Sequence, residues 1–213
     1  MAAPVRVTVL GSGTSQGVPM IGCPCAVCRS PDPRDRRTRS SLYVDDGVLP
    51  FLIDTTPELR LQCLAAGVSR VEAVLFTHNH ADHVFGYDDL RRFCEANGRP
   101  LDIYGSPETV ALLRQTFSYA FDTSIQVPHY VRTTPHVFPP DAPLRLGTLT
   151  VWPLRVVHGR AETHGFLIER EGRKLLAYIP DAKEIPEAAR ARLQGVELAI
   201  TWTACGTTST PPT

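Results

Sequence analysis

Thr77-His78-Asn79-His80-Ala81-Asp82-His83 follows directly on an apolar run, Val71–Phe76, and its reading decides the fold. The run has the length and bulk of a buried strand. Four potential ligands, His78, His80, Asp82 and His83, therefore gather within six residues at a strand's C-terminal end. Imidazole and carboxylate together suit Zn, Mn or Fe. If strand geometry persists, His78 and His80 point the same way while Asp82 and His83 turn towards a different point. That division suits two metals better than one.

Outward from this string, the apolar runs are short and often β-branched: Val5–Leu10, Phe51–Ile53, Leu149–Val157, Phe166–Ile168, Leu175–Ile179 and Leu198–Ile200. They read as strands, several buried on both faces. Helices are expected between them. Thr56-Pro57-Glu58 offers a cap, a first-turn proline and an acid for a helix ending at Gly67, and Ser106-Pro107-Glu108 repeats the signal for a helix to about Tyr119. Two more should cover Asp88 to Asn97 and Pro186 to Leu193. Asp122 to Pro143 is Pro-rich and reads as a long irregular surface loop, and Glu171-Gly172 as a hairpin turn. Alternating strands and helices with hairpins mixed in predict an α/β layered fold with a mixed sheet.

Composition bounds the function. The 213 residues carry 22 Lys+Arg against 22 Asp+Glu, and this balance argues against general nucleic-acid binding, which needs a broad basic face. A hydrophobic content of 43% fills the core of one domain. No run reaches the ~18 apolar residues of a membrane span, and the start lacks a signal-peptide core, so no membrane partner and a cytosolic location are expected. In a reducing cytosol, Cys23-Pro24-Cys25-Ala26-Val27-Cys28 favours metal over disulfides. Its three thiolates, Cys23, Cys25 and Cys28, supply three corners of a tetrahedral structural zinc. Cys63, Cys94 and Cys205 are isolated and read as core or incidental residues.

The H-x-H-x-D-H string resembles the signature of the metallo-β-lactamase superfamily. The resemblance implies a four-layer αββα sandwich with the metals at one edge, between the sheets. Asp54, closing Phe51–Ile53, matches the family's buried carboxylate behind the ligands. His158, ending Leu149–Val157, matches the third histidine of the first metal, with His164 a weaker rival. Asp181, after Leu175–Ile179, matches the carboxylate bridging both metals. The implied ligands are His78, His80, His158 and Asp181 for one ion, and Asp82, His83 and Asp181 for the other. His129 and His136 read as surface residues.

Gly11-Ser12-Gly13-Thr14-Ser15-Gln16-Gly17-Val18-Pro19 follows the first strand. Taken alone it is either a tight connection or a place where backbone approaches a ligand closely, and it lacks the G-K-[ST] ending of a P-loop. With the cysteine triplet and the histidine string, it resembles the superfamily branch typified by phosphoribosyl cyclic phosphate phosphodiesterases. That branch implies hydrolysis of a small cyclic ribosyl phosphate at two divalent ions, Zn or Mn, beside one structural Zn. A hydroxide bridging the two ions is the implied nucleophile. The partner is then a small-molecule phosphodiester; oligomeric state stays open, a homodimer included. A ribonuclease Z-like RNA endonuclease and a non-catalytic truncated remnant are the alternatives. Five arginines between Arg29 and Arg39 read as a solvated loop or as a phosphate-steering patch.

The family's histidines on late strands have no counterpart, because no His follows His164. Residues 1–200 thus read as a hydrolase domain lacking its late strands, and 201–213 as a tail matching no family segment. Trp202 fixes a TGG codon, and the shifted frame starting one base earlier has an obligatory Asp and can read Leu-Asp-Gly-Leu-Arg-His, as the family segment does. A frameshift near Ile200 or Thr201 is expected, with a weakly held second metal and low activity as its consequences.

Overall fold

The computed structural model describes residues 3–122, 124, 129–139 and 141–201. Two sheets face each other. The first contains β1 (Arg6–Gly11), β2 (Ser41–Asp45), β3 (Phe51–Ile53), β4 (Ala73–Leu75), β5 (Leu101–Gly105) and β6 (Thr133–Val137), adjacent in that order. It is antiparallel from β1 to β3 and parallel from β3 to β6. The second contains β7 (Leu144–Leu146), β8 (Leu149–His158), β9 (Ala161–Arg170), β10 (Arg173–Ile179) and β11 (Leu198–Thr201). Its order is β11-β10-β9-β8-β7, antiparallel except for the parallel β10–β11 pair.

Strand periodicity explains the layering. In β3, Phe51 and Ile53 face the second sheet and join Leu42, Val44, Phe166 and Tyr178 in the core between the sheets. Leu52, pointing the other way, packs with Val74, Leu59 and Tyr87 beneath the helices. Those helices are α2 (Leu59–Ala66), α4 (Arg91–Asn97) and α5 (Pro107–Thr116), while α1 (Ala26–Arg29) buries no residue and α3 (Ala81–Val84) is a single short turn. On the far side α6 (Glu187–Leu193) lays Ala189 and Leu193 on Leu154 and Leu167 of the second sheet. The result is the αββα sandwich, and burial on both faces is why the central strands read as unbroken apolar runs. No helix among the described residues is long and apolar enough to cross a membrane.

Several local expectations need correction. Asp122 to Pro143 is not wholly irregular: β6 lies within it and pairs in parallel with all of β5. Thr56 does not cap a helix; its hydroxyl bonds Gln62, and α2 begins only at Leu59, after a turn closed by the Leu59 N–H on the Thr56 carbonyl. The helix expected from Asp88 starts as a 3₁₀ turn, Tyr87–Leu90, before α4. Ser106 does cap α5, accepting from the Thr109 N–H at 3.1 Å. Glu171 and Gly172, at φ 52° and 78°, form the hairpin turn between β9 and β10.

The glycine turn packs on the chain itself. A Cβ at Gly13 would lie 2.5 Å from the Arg37 carbonyl oxygen, and one at Gly11 would lie 1.9 Å from that of Arg39. These positions admit only glycine because the Arg37–Arg39 backbone runs against them, with the Gly13 N–H donating to the Thr38 carbonyl at 2.7 Å. Tail residues 202–213, with Cys205 and the expected frameshift, lie outside the described residues.

Candidate metal centre

The site is assembled where the strands of both sheets end. His78 leaves β4, the extended backbone of His80 opens α3, and Asp82 and His83 ride on that short helix. From the second sheet come His158, the last residue of β8, and Asp181, two residues beyond β10. Two groups of ligand atoms result, each within 4.8 Å: His78, His80 and His158, and His78, His83 and Asp181. His78 Nε2 lies 2.9 Å from His80 Nδ1, and His158 Nε2 lies 3.3 Å from that same nitrogen. His83 Nε2 lies 2.7 Å from Asp181 Oδ2 and 3.4 Å from Asp82 Oδ2.

Ligand atoms held tetrahedrally at about 2.1 Å from one ion stand about 3.4 Å apart, so the convergence of these nitrogens fits a divalent cation. Charge fits as well. Burial, reinforced by the neighbouring His83 and His80, pushes the His78 imidazole down to about 2, and burial lowers His158. Both rings are neutral at neutral pH, as metal ligation requires. Burial works against ionisation of Asp181 and Asp82, yet the hydrogen bonds and charge of His83 hold both carboxyls below the ordinary range.

Behind the ligands sits Asp54, fully buried. Its Oδ1 accepts from the Thr77 N–H and its Oδ2 from the Thr77 hydroxyl, both at 2.8 Å. Oδ2 also lies 2.8 Å from His83 Nδ1, so Asp54 fixes that ring with Nε2 aimed at Asp181. Burial opposes a charge on His83, but Asp54, Asp181 and Asp82 outweigh it and hold its pKa well above the ordinary value. Asp54 and Asp181 both have left-handed backbone, at φ 65° and 52°. Asp tolerates that region better than most residues, and backbone strain of this kind gathers at functional sites.

Thr77 is the residue that sequence reasoning missed. It stands at the head of the histidine string, and its hydroxyl also lies 3.0 Å from His78 Nδ1. The remaining histidines lie elsewhere. His129 pairs with Glu95 at the surface, His136 with Asp102, and His164 sits within β9 outside both ligand groups.

Cys23, Cys25 and Cys28 form a third group on the loop around α1. The Cys25 sulfur accepts from the Cys28 N–H and the Cys28 sulfur from the Met20 N–H, each at 3.4 Å. The Cys28 N–H, with side-chain hydrogen bonds from Cys23 and Cys28, lowers the Cys25 thiol pKa, favouring the thiolate that zinc takes. Cys63 on α2 and Cys94 on α4 are buried in the core between the helices and the first sheet.

Residues 50–208 match the family model described as the beta-lactamase superfamily domain. The chain belongs to the metallo-β-lactamase superfamily. Within the superfamily it is similar to the crystal structure of a diphosphatase of the PhnP family, at 36% identity and a TM-score of 0.81, covering 93% of this chain and 73% of that one. It is also similar to Zn(2+)-bound PqqB from Methylobacterium extorquens, at 25% identity and a TM-score of 0.72, over 92% of this chain and 71% of that one. An octanoyltransferase of Porphyromonas gingivalis is 41% identical over 182 residues, which are 85% of this chain but 35% of that protein. The chain therefore spans about a third of that relative's length.

Proposed function

We propose that this chain is a metal-dependent phosphodiesterase acting on small phosphate diesters, a cyclic ribosyl phosphate foremost. The observation that carries the reading is the pair of ligand groups joined through His78, one all imidazole and the other holding a carboxylate. Two divalent ions there would neutralise phosphoryl oxygens and supply an ionised water near neutral pH. His78, His80 and His158 would hold one ion, Asp82, His83 and Asp181 would hold the other, and Asp181 would also serve the first. Asp54 fixes the His83 ring through Nδ1, and His83 would give up its Nε2 proton when an ion binds. Cys23, Cys25 and Cys28 would bind a zinc that stiffens the loop beside Arg29–Arg39. Similarity to a PhnP-family diphosphatase supports phosphate-ester chemistry, and similarity to a Zn(2+)-bound protein supports zinc.

The test is hydrolysis of bis(4-nitrophenyl) phosphate and of ribose 1,2-cyclic phosphate by protein reconstituted with Zn or Mn. Turnover of both, abolished by a chelator and restored by metal, is expected. No turnover of either diester at saturating metal overturns the reading.

A further inference from the structure

The helix α2 is apolar on two faces. Inward, Leu59 and Cys63 join the core above the first sheet, and the buried Gln62 between them bonds Thr56, Thr38 and the Arg39 carbonyl. Outward, Leu61 and Leu64 are 58% and 66% exposed, and Ala65 lies exposed beside them. These three positions are spaced i, i+3, i+4, which places them on one stripe of the helix. Arg60 is the only charged residue in α2. A helix that faces water carries its polar residues on the outer side, whereas one that is apolar all round is a helix covered on both sides.

Beside this stripe a groove of about 410 Å³ runs between α2 and α4, with Leu64 at its edge and Cys63, Val68 and Phe93 deeper in. Burial, with the charge of Asp89, pushes the Cys63 thiol up to about 11 and keeps it neutral. Two opposite charges line the same groove, Arg60 on α2 and Asp89 in the 3₁₀ turn before α4. Neither side chain makes a hydrogen bond or ion pair among the described residues, whereas Arg92, also in the groove, is paired with Glu95. The surface is thus an apolar stripe flanked by one unpaired base and one unpaired acid. It offers what it requires, and self-complementarity of this kind is the condition for an isologous two-fold contact.

We propose that the outer face of α2 and the α2–α4 groove form an interface with a second copy of this chain. Leu61 and Leu64 of each copy pack against the other, and Arg60 of each pairs with Asp89 of the other. The leucines supply the apolar centre of the contact, and the two reciprocal ion pairs fix its register.

The test is analytical ultracentrifugation of the full chain at about 10 µM, where an interface of ordinary size is populated. A dimer is expected. Leu64→Glu should convert it to a monomer with the circular dichroism of the wild type, since the side chain it replaces lies outside the core. Arg60→Glu sets an acid against Asp89 and should weaken association about tenfold, and Asp89→Arg should do the same. The two reversals combined in one chain restore both pairs and should recover the dimer. A monomeric wild type overturns the proposal and leaves the face to a partner of another kind. A dimer that survives Leu64→Glu, or one that the double reversal fails to recover, overturns it as well.

Discussion

Asp46 and Thr148, 102 residues apart in sequence, tie the two sheets together: the Asp46 Oδ2 accepts from the Thr148 N–H at 2.6 Å and from its hydroxyl at 2.7 Å. The other oxygen accepts from the Val48 and Leu49 N–H groups. One buried carboxylate therefore organises the turn after β2 and the turn before β8 together. Asp46→Ala leaves these donors unmet and is expected to cost about 3 kcal/mol, read as a lower urea midpoint at unchanged slope.

The same carboxylate makes stability pH-dependent. Burial works against its ionisation, but the Thr148 hydroxyl and backbone N–H and the Leu49 and Val48 N–H groups outweigh burial and depress the folded-state pKa. Its contribution is complete above the unfolded value of about 3.9 and fades as pH falls through the lower folded value. The stability gap between wild type and Asp46→Asn should thus narrow from pH 7 to pH 2 in parallel urea melts. A gap that is constant with pH contradicts the assignment.

Asp54 acts through His83, so Asp54→Asn should weaken metal binding about 10–100-fold while leaving the ligands themselves in place. Competition with a fluorescent chelator measures it. Unchanged affinity would mean that His83 keeps its orientation without the carboxylate.

The cysteine loop is separable from the histidine site. Cys25→Ser should lower zinc content by one ion per chain in elemental analysis and leave the histidine-bound metal unchanged. An unaltered zinc count would remove the cysteine triplet from the list of metal sites.

Gly13→Ala tests the tight packing of the glycine turn. The added methyl would sit 2.5 Å from one carbonyl oxygen and 2.9 Å from the next, so backbone must move. A loss of about 1–3 kcal/mol in thermal or urea unfolding is expected.

The central strands and the histidine string were legible because both signals are local. β3, β4 and β9 are apolar where they are buried on two faces, and H-x-H-x-D-H packs its donors into a few residues. The elements that were missed depend on neighbours. β6 contains Pro135 and His136 and exists because β5 offers a partner edge; β7 has three residues held by β8. β2 is buried throughout its first four residues yet opens on Ser41, whose hydroxyl bonds the Ile53 and Asp54 carbonyls across the sheet. Thr77 escaped for the same reason: its role lies in Asp54, 23 residues away.

The proposed ligands come from both sheets, His78, His80, Asp82 and His83 from one and His158 and Asp181 from the other. Asp46 and Thr148 sit at the opposite end of the same strands, since β8 begins just after Thr148 and finishes at His158. The sandwich is therefore a jaw with a permanent hinge pin at one end and a removable clasp at the other. Stripping the ions should let it gape from the clasp end only. Amide exchange would then quicken around His158 and Asp181 while the Thr148 turn stays closed.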